Sequence, residues 1–196
     1  GDSFWKVLNM LNTKYIIHTQ QDNKPGVMRN PGAFGNAWIV SNIDWVSTPN
    51  EEIAAIENTD VKTTAIINDE FKNVVGDFAK DAINRIPTGS IQLTCYKPNE
   101  LIYKFNSTKE ELVVFSEIWT NKGWTMWIDG EESPLIRADY ILRAAVVPAG
   151  NHEIMMRYEP KIWKVGNTIQ FVSSLILILG LLAAIFVTYK KSASKQ

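Results

Sequence analysis

Two groups of residues have types and spacings that suit chemistry at a site. The first is acidic. Asp129, Glu131 and Glu132 cluster in one short stretch, and a pair of carboxylates is what glycoside hydrolysis employs. A hairpin tip is the plainer account: Asp129-Gly130 suits a tight turn with positive φ, and the glutamates stay in water. The second group is aromatic: Trp119, Trp124, Trp127 and Tyr140. Sugar rings present apolar C–H faces that stack on flat side chains, so such a set suits glycan binding. Side chains alternate along a strand, which puts Trp124, Met126 and Ile128 on one face and Trp127 with Asp129 on the other. The all-apolar set reads as the core face. Trp127 is therefore the leading stacking candidate, joined by Trp119 and Tyr140. The competing account makes them all packing or domain-contact residues.

Other chemistries find no support in the chain. His18 and His152 have no cysteine or carboxylate partners at ligand spacing, so neither a metal site nor a cofactor is expected. No nucleophile elbow, phosphate-binding loop or zinc-protease motif is present. Cys95 stands alone and cannot form an intramolecular disulfide. The net charge of −1 comes with no basic arm or patch, which argues against a nucleic-acid partner.

Whatever the aromatics do, they are tethered. Ile169 to Tyr189 holds no charged residue and would reach roughly 31 Å as a helix, about the thickness of a hydrocarbon core. It reads as a transmembrane helix with the lipid bilayer as its partner. Trp163 and Tyr189 bracket it as interfacial aromatics, and Lys190, Lys191 and Lys195 follow. The lysines suggest a cytoplasmic tail (190–196) and an extracytoplasmic body, although Arg157, Lys161 and Lys164 nearly balance them from the other side. A Trp-rich, β-patterned body suits the exterior of a bacterial cell membrane. The opening residues GDSFWKVLNMLNTKY lack the features of a signal peptide. An exported domain without its own signal needs an upstream transmembrane segment, so the expectation is the C-terminal piece of a longer membrane protein.

The 196 residues, 45% of them hydrophobic, suffice for one sizeable core or two small ones. Residues 1–89 read as a small α+β part. Phe4, Val7, Leu8 and Leu11 form a helical stripe, and Tyr15-Ile16-Ile17 a short strand. Val27-Met28 is a strand fragment within the turn-rich Gln20 to Asn36, and Ala37 to Val46 a bent strand. Thr48-Pro49-Asn50-Glu51 is a capping box that opens a helix through Ile56. Val61 to Asn68 is strand-like, while Phe71 to Gly89 is ambiguous. Residues 90–160 read as an antiparallel β-sandwich, jelly-roll-like, of five to seven short strands. Ile91–Tyr96 and Leu101–Phe105 are joined by a four-residue loop, Leu112–Trp119 is apolar on both faces, and Trp124–Ile128 runs into Asp129-Gly130. Tyr140–Val147 and His152–Tyr158 follow, joined through Pro148 to Asn151. The fold class is mainly β with one C-terminal transmembrane helix.

Several motifs together resemble the C-terminal region of YfhO-like bacterial membrane proteins. They are Leu11 to Ile17 (LNTKYII), Asn30 to Trp38 (NPGAFGNAW), Phe115 to Trp119 (FSEIW) with Gly123-Trp124, and Ile128-Asp129-Gly130. Arg137 to Tyr140 (RADY), Leu142-Arg143-Ala144 and Val147 to Glu153 (VPAGNHE) complete the set. The resemblance implies a polytopic protein related to glycosyltransferases that use lipid-linked sugars, with catalytic acids in loops between early helices, outside this chain. Within such a protein this part reads as an accessory domain, glycan-binding or bracing. Its partners would be the upstream transmembrane region and a glycan or lipid-linked sugar. The alternative is a singly anchored cell-envelope module with no catalytic parent.

Overall fold

The computed structural model describes residues 2–19, 23–78 and 85–193. The chain forms two compact units, Gly1–Tyr158 and Glu159–Gln196.

The first unit is mainly β. Its strands are β1 (Tyr15–Thr19), β2 (Pro25–Arg29), β3 (Ala37–Val40), β4 (Asn42–Val46), β5 (Thr64–Asn68), β6 (Ser90–Lys97) and β7 (Glu100–Ser107). After them come β8 (Glu111–Ile118), β9 (Trp124–Ile128), β10 (Glu131–Ser133), β11 (Ile136–Ala138), β12 (Leu142–Val147) and β13 (Gly150–Tyr158). Among the described residues the longer helices beside them are α1 (Asp2–Met10) and α2 (Pro49–Asn58). A five-stranded antiparallel sheet runs β10-β9-β13-β7-β6, and a six-stranded sheet runs β3-β8-β12-β11-β5-β4. All pairings are antiparallel except β4 with β5. β1 and β2 form a separate hairpin.

Alternation along β8 and β12 makes two cores. Val113, Phe115, Ala145 and Val147 face the five-stranded sheet, meeting Tyr103, Phe105, Met126, Ile154 and Met156. Leu112, Val114, Leu142 and Ala144 face the other way, toward Met10 of α1, Ile56 of α2, Trp38, Val75 and Phe78. β8 is therefore buried on both faces, as its unbroken apolar run predicts. The six-stranded sheet takes β3, β4 and β5 from before residue 89 and β8, β11 and β12 from after it. Its edge strands β3 and β4 are separated in sequence by Ser41 alone, so the sheet must curl until its two edges meet at that corner.

Local chemistry sets the remaining elements. Thr48 caps α2: its hydroxyl accepts from the Glu51 N–H at 3.3 Å, while the Glu51 carboxylate accepts from the Thr48 and Ser47 N–H groups. α1 buries Met10 and packs Val7 and Leu11 against the core, whereas Phe4 is exposed, so the apolar stripe turns inward later than its sequence suggests. The β6–β7 loop is tighter than expected, with Lys97 paired to Glu100 across the strands and only Pro98-Asn99 left to turn. The expected strand from Tyr140 begins at Leu142, because Asp139 and Tyr140 both take positive φ to turn β11 into β12. The residues between Pro148 and Asn151 do not join neighbours: β12 and β13 lie in different sheets. Part of the ambiguous stretch, residues 79–84, lies outside the described residues. What precedes it is a 3-10 turn (Asp69–Phe71) and a single helical turn (Lys72–Val75).

The second unit is a helix from Lys161 to Ala193, beginning directly after Pro160. Its segment Val165–Val187, 23 residues, is long and apolar enough to cross a membrane, and none of it is buried by protein. The span starts somewhat earlier than the charge-free run Ile169–Tyr189 because Val165 and Gly166 extend it.

Asp139 is fully buried at the β11–β12 turn. Its Oδ1 accepts from the Ile66 N–H at 2.9 Å, extending the β5–β11 ladder by one side chain. Burial nevertheless pushes its carboxyl up to about 7, and the nearby Glu52 carboxylate adds to the rise. An acid whose folded value is raised loses stability as pH climbs from its unfolded value of 3.8 to about 7. Asp139→Asn keeps the acceptor and removes the titration. Denaturant unfolding across that range should show the variant free of a pH slope that costs the wild type up to about 4 kcal/mol.

Candidate functional site

The site is built on the outward face of the five-stranded sheet. Cross-strand register sorts that face into rows. Lys97, Glu100, Arg157 and Thr125 form one; Cys95, Ile102, Met155, Trp127 and Glu132 the next; then Gln92, Lys104 and Glu153; then Ser90, Asn106 and Asn151. In the first row Glu100 accepts from Lys97 at 2.7 Å and from both Nε and Nη2 of Arg157, and these cations hold its carboxyl below the usual range. The last two rows line a cleft of about 440 Å³ with Asp129, Phe105 and His152. Its lining side chains are mostly amide, hydroxyl and charged, but their carbon stems and Phe105 supply much of the wall. Trp127 lies outside both apolar cores and is half-buried, one ladder step from the Lys104–Glu153 row.

Strand parity thus separates the two β9 tryptophans as the sequence requires. Trp124 packs against the inter-sheet core with Met126 and Ile128. The Arg143 guanidinium sits 4.1 Å from its ring centroid, and Tyr158 tilts against it at 5.5 Å. Arg143 itself is 3% exposed, and desolvation lowers its pKa. Its Nε donates to the Ile118 carbonyl at 3.0 Å.

The structure does not bring the three stacking candidates together. Trp119 follows β8, meets Phe71 edge-on at 5.8 Å and donates its backbone N–H to the Ile141 carbonyl. Tyr140 is exposed in the β11–β12 turn. Both belong to the end of the six-stranded sheet, whereas Trp127 lies on the face of the other sheet. Trp119 and Trp124 share a smaller cleft of about 160 Å³ with Thr120, Asn121, Glu132 and Ser133. That is below the 300–1,000 Å³ of ordinary ligand pockets.

Asp129 has a role that the sequence does not reveal. At φ 52, followed by Gly130 at φ 88, it forms the two-residue turn between β9 and β10. Its carboxylate then reaches to β13, where Oδ1 accepts from the Glu153 N–H at 2.9 Å and Oδ2 lies 2.6 Å from His152 Nδ1. The other ring nitrogen of His152 is 3.2 Å from the Ala149 carbonyl. With an acceptor at each nitrogen, the doubly protonated ring satisfies both. Gly150 makes this possible, since a Cβ there would meet His152 Nε2 at 2.7 Å. The hydrogen bond with Asp129 raises the His152 pKa; the same bond and the Glu153 N–H lower that of Asp129. Two residues 23 positions apart meet only through the β9–β13 pairing, so no sequence spacing announces them. Glu131 and Glu132 are exposed, and no metal-binding cluster occurs among the described residues.

A two-sheet β domain followed by a membrane-spanning helix defines a membrane-anchored β-domain protein. The family model described as bacterial membrane protein YfhO matches residues 63–170, more than half of the chain, and the chain belongs to that family. The match runs from β5 through every later strand into the helix. No curated protein and no solved structure gives a significant match.

The Asp129–His152 bond has a defined pH window. His152 is raised above 6.5, so its contribution is complete below that value and fades as pH rises through the folded pKa. Asp129 is lowered below 3.8, so its contribution is lost as pH falls through its folded pKa. Melting curves of wild type and His152→Gln should differ most at about pH 5 and converge in alkali.

Proposed function

We propose that this is the extracytoplasmic β-domain and final anchor of a polytopic YfhO protein of the lipid-linked-sugar glycosyltransferase type, serving an accessory, glycan-binding role. The observation that carries the proposal is the outward face of the five-stranded sheet. A tryptophan outside both cores, Trp127, lies one ladder step from a polar cleft lined by Gln92, Lys104, Asn106, Asn151 and Glu153. An aromatic plane beside amides and charges is the chemistry that a polyhydroxylated ring requires. Trp119 and Tyr140 lie away from that face and add nothing to its platform.

Two substitutions separate binding from packing. Trp124→Ala opens a cavity in the inter-sheet core and should cost about 3–5 kcal/mol of stability. Trp127→Ala should cost much less. It should weaken retention on neutral-oligosaccharide affinity gels by about 1–2 kcal/mol, the loss of one stacking contact by analogy with base–aromatic stacking. Equal losses of melting temperature for the two would make Trp127 a packing residue and remove the platform.

For topology we propose a cytoplasmic tail. In a Cys95→Ser background, a cysteine replacing Ser194 should resist an impermeant thiol reagent in intact cells, while one replacing Glu131 should react. Labelling of the tail alone would reverse the orientation.

A further inference from the structure

Among the described residues the β1–β2 hairpin pairs with no other strand. Its base is fixed: the Asn30 N–H donates to the Lys14 carbonyl at 2.8 Å, and its buried side chain bonds Asn9 Oδ1 and the Thr13 carbonyl. Beyond that base the hairpin shows apolar side chains to solvent. Ile17 pairs directly with Val27, and Tyr15 shares their face two residues away. They are 75%, 67% and 63% exposed. Phe4 and Trp5 on α1, the helix to which Asn30 ties the hairpin, are exposed as well. A lone two-stranded hairpin is at best marginally stable in water, and a contiguous exposed apolar patch marks an interaction surface.

We infer that the apolar face of this hairpin is seated in the headgroup layer of an anionic lipid bilayer. Charge selects that occupant. Lys14, Lys24 and Arg29 are exposed in or beside the hairpin, and Asp22 is the sole acid in the sequence between Lys14 and Asn30. Apolar and aromatic side chains ringed by basic ones form the pattern of an interfacial membrane element. The same polypeptide carries the span Val165–Val187, so a bilayer is always at hand. The inference rests on membrane residence alone and is independent of glycan binding.

The test uses the full chain in vesicles of phosphatidylcholine and phosphatidylglycerol with brominated acyl chains. In a Cys95→Ser background, an environment-sensitive fluorophore is placed on Ile17→Cys, on Val27→Cys, or on Glu131→Cys as the solvent reference. All three positions lie outside the cores, so the substitutions leave packing intact. Bromolipid should quench the probes at 17 and 27 several-fold more than the probe at 131, and aqueous iodide should show the reverse order. Iodide quenching at 17 and 27 equal to that at 131 overturns the inference. Shielding of both probes from both quenchers also overturns it, because protein rather than lipid would then cover the hairpin.

Discussion

The domain depends on burying β8 on both faces. Val113 and Phe115 point to one core, Leu112 and Val114 to the other, and all four are fully buried. A strand in that position needs a layer on each side. The five-stranded sheet supplies one; α1, α2 and the turns around Val75 and Phe78 supply the other. Removing either layer would expose a complete row of branched and aromatic side chains, at roughly 1.5–3 kcal/mol for each. The segment before residue 89 is consequently structural for the sandwich after it: it contributes three strands of the shared sheet and the helices that close its second face.

Satisfying buried polarity is the second constraint, and it shapes the start of β12. At its start, Asp139 substitutes a carboxylate for a strand neighbour against Ile66, and two consecutive residues accept positive φ to make that geometry possible. Positive φ is uncommon outside glycine, and for Tyr140 it carries strain that the surrounding contacts must offset. One residue into the strand, Arg143 enters the inter-sheet core, where the Glu117 carboxylate acts on it through space. It is accommodated by the Ile118 carbonyl and the face of Trp124. A lysine would keep the charge but lose the planar stacking surface. The Arg137 to Tyr140 and Leu142 to Ala144 motifs thus carry architecture as well as resemblance.

Much of this was legible in the sequence wherever the cause is local. The capping box at Thr48, the Asp129-Gly130 turn, the two-faced apolarity of β8, the parity of Trp124 and Trp127 and the apolar C-terminal span are each determined within a few residues. Longer-range features were not legible. β11 is short, and beside its local pairing with β12 it pairs with β5 through Ala138 and Ile67, which lie far apart in the chain. The crossing between sheets after Pro148 looks like an ordinary hairpin because the same turn residues serve both. Only the face of Trp127, not its neighbours, followed from alternation; the polar cleft beside it is assembled from β6, β7 and β13, whose order nothing in one strand encodes. The motif resemblance did better, because it reads strands in combination, and the family match across residues 63–170 agrees with it.

The same distinction decides what the acidic hairpin tip can do. In sequence, Asp129 with Glu131 and Glu132 resembles an acid/base pair in search of a substrate. In the fold, Asp129 is already occupied on both oxygens by groups of β13, and these bonds lower its pKa rather than move it toward neutrality. A general acid at neutral pH needs a raised carboxyl, as burial in an apolar pocket provides. The domain has one carboxyl that is raised and fully buried, Asp139, and its Oδ1 is committed to the β5 backbone. Depression at the tip comes from the hydrogen bonds to β13, whereas elevation in the core comes from burial, which outweighs the lowering bond from the Ile66 N–H. Both carboxyls serve the sandwich, Asp129 by tying the β9–β10 turn to β13 and Asp139 by tying the β11–β12 turn to β5.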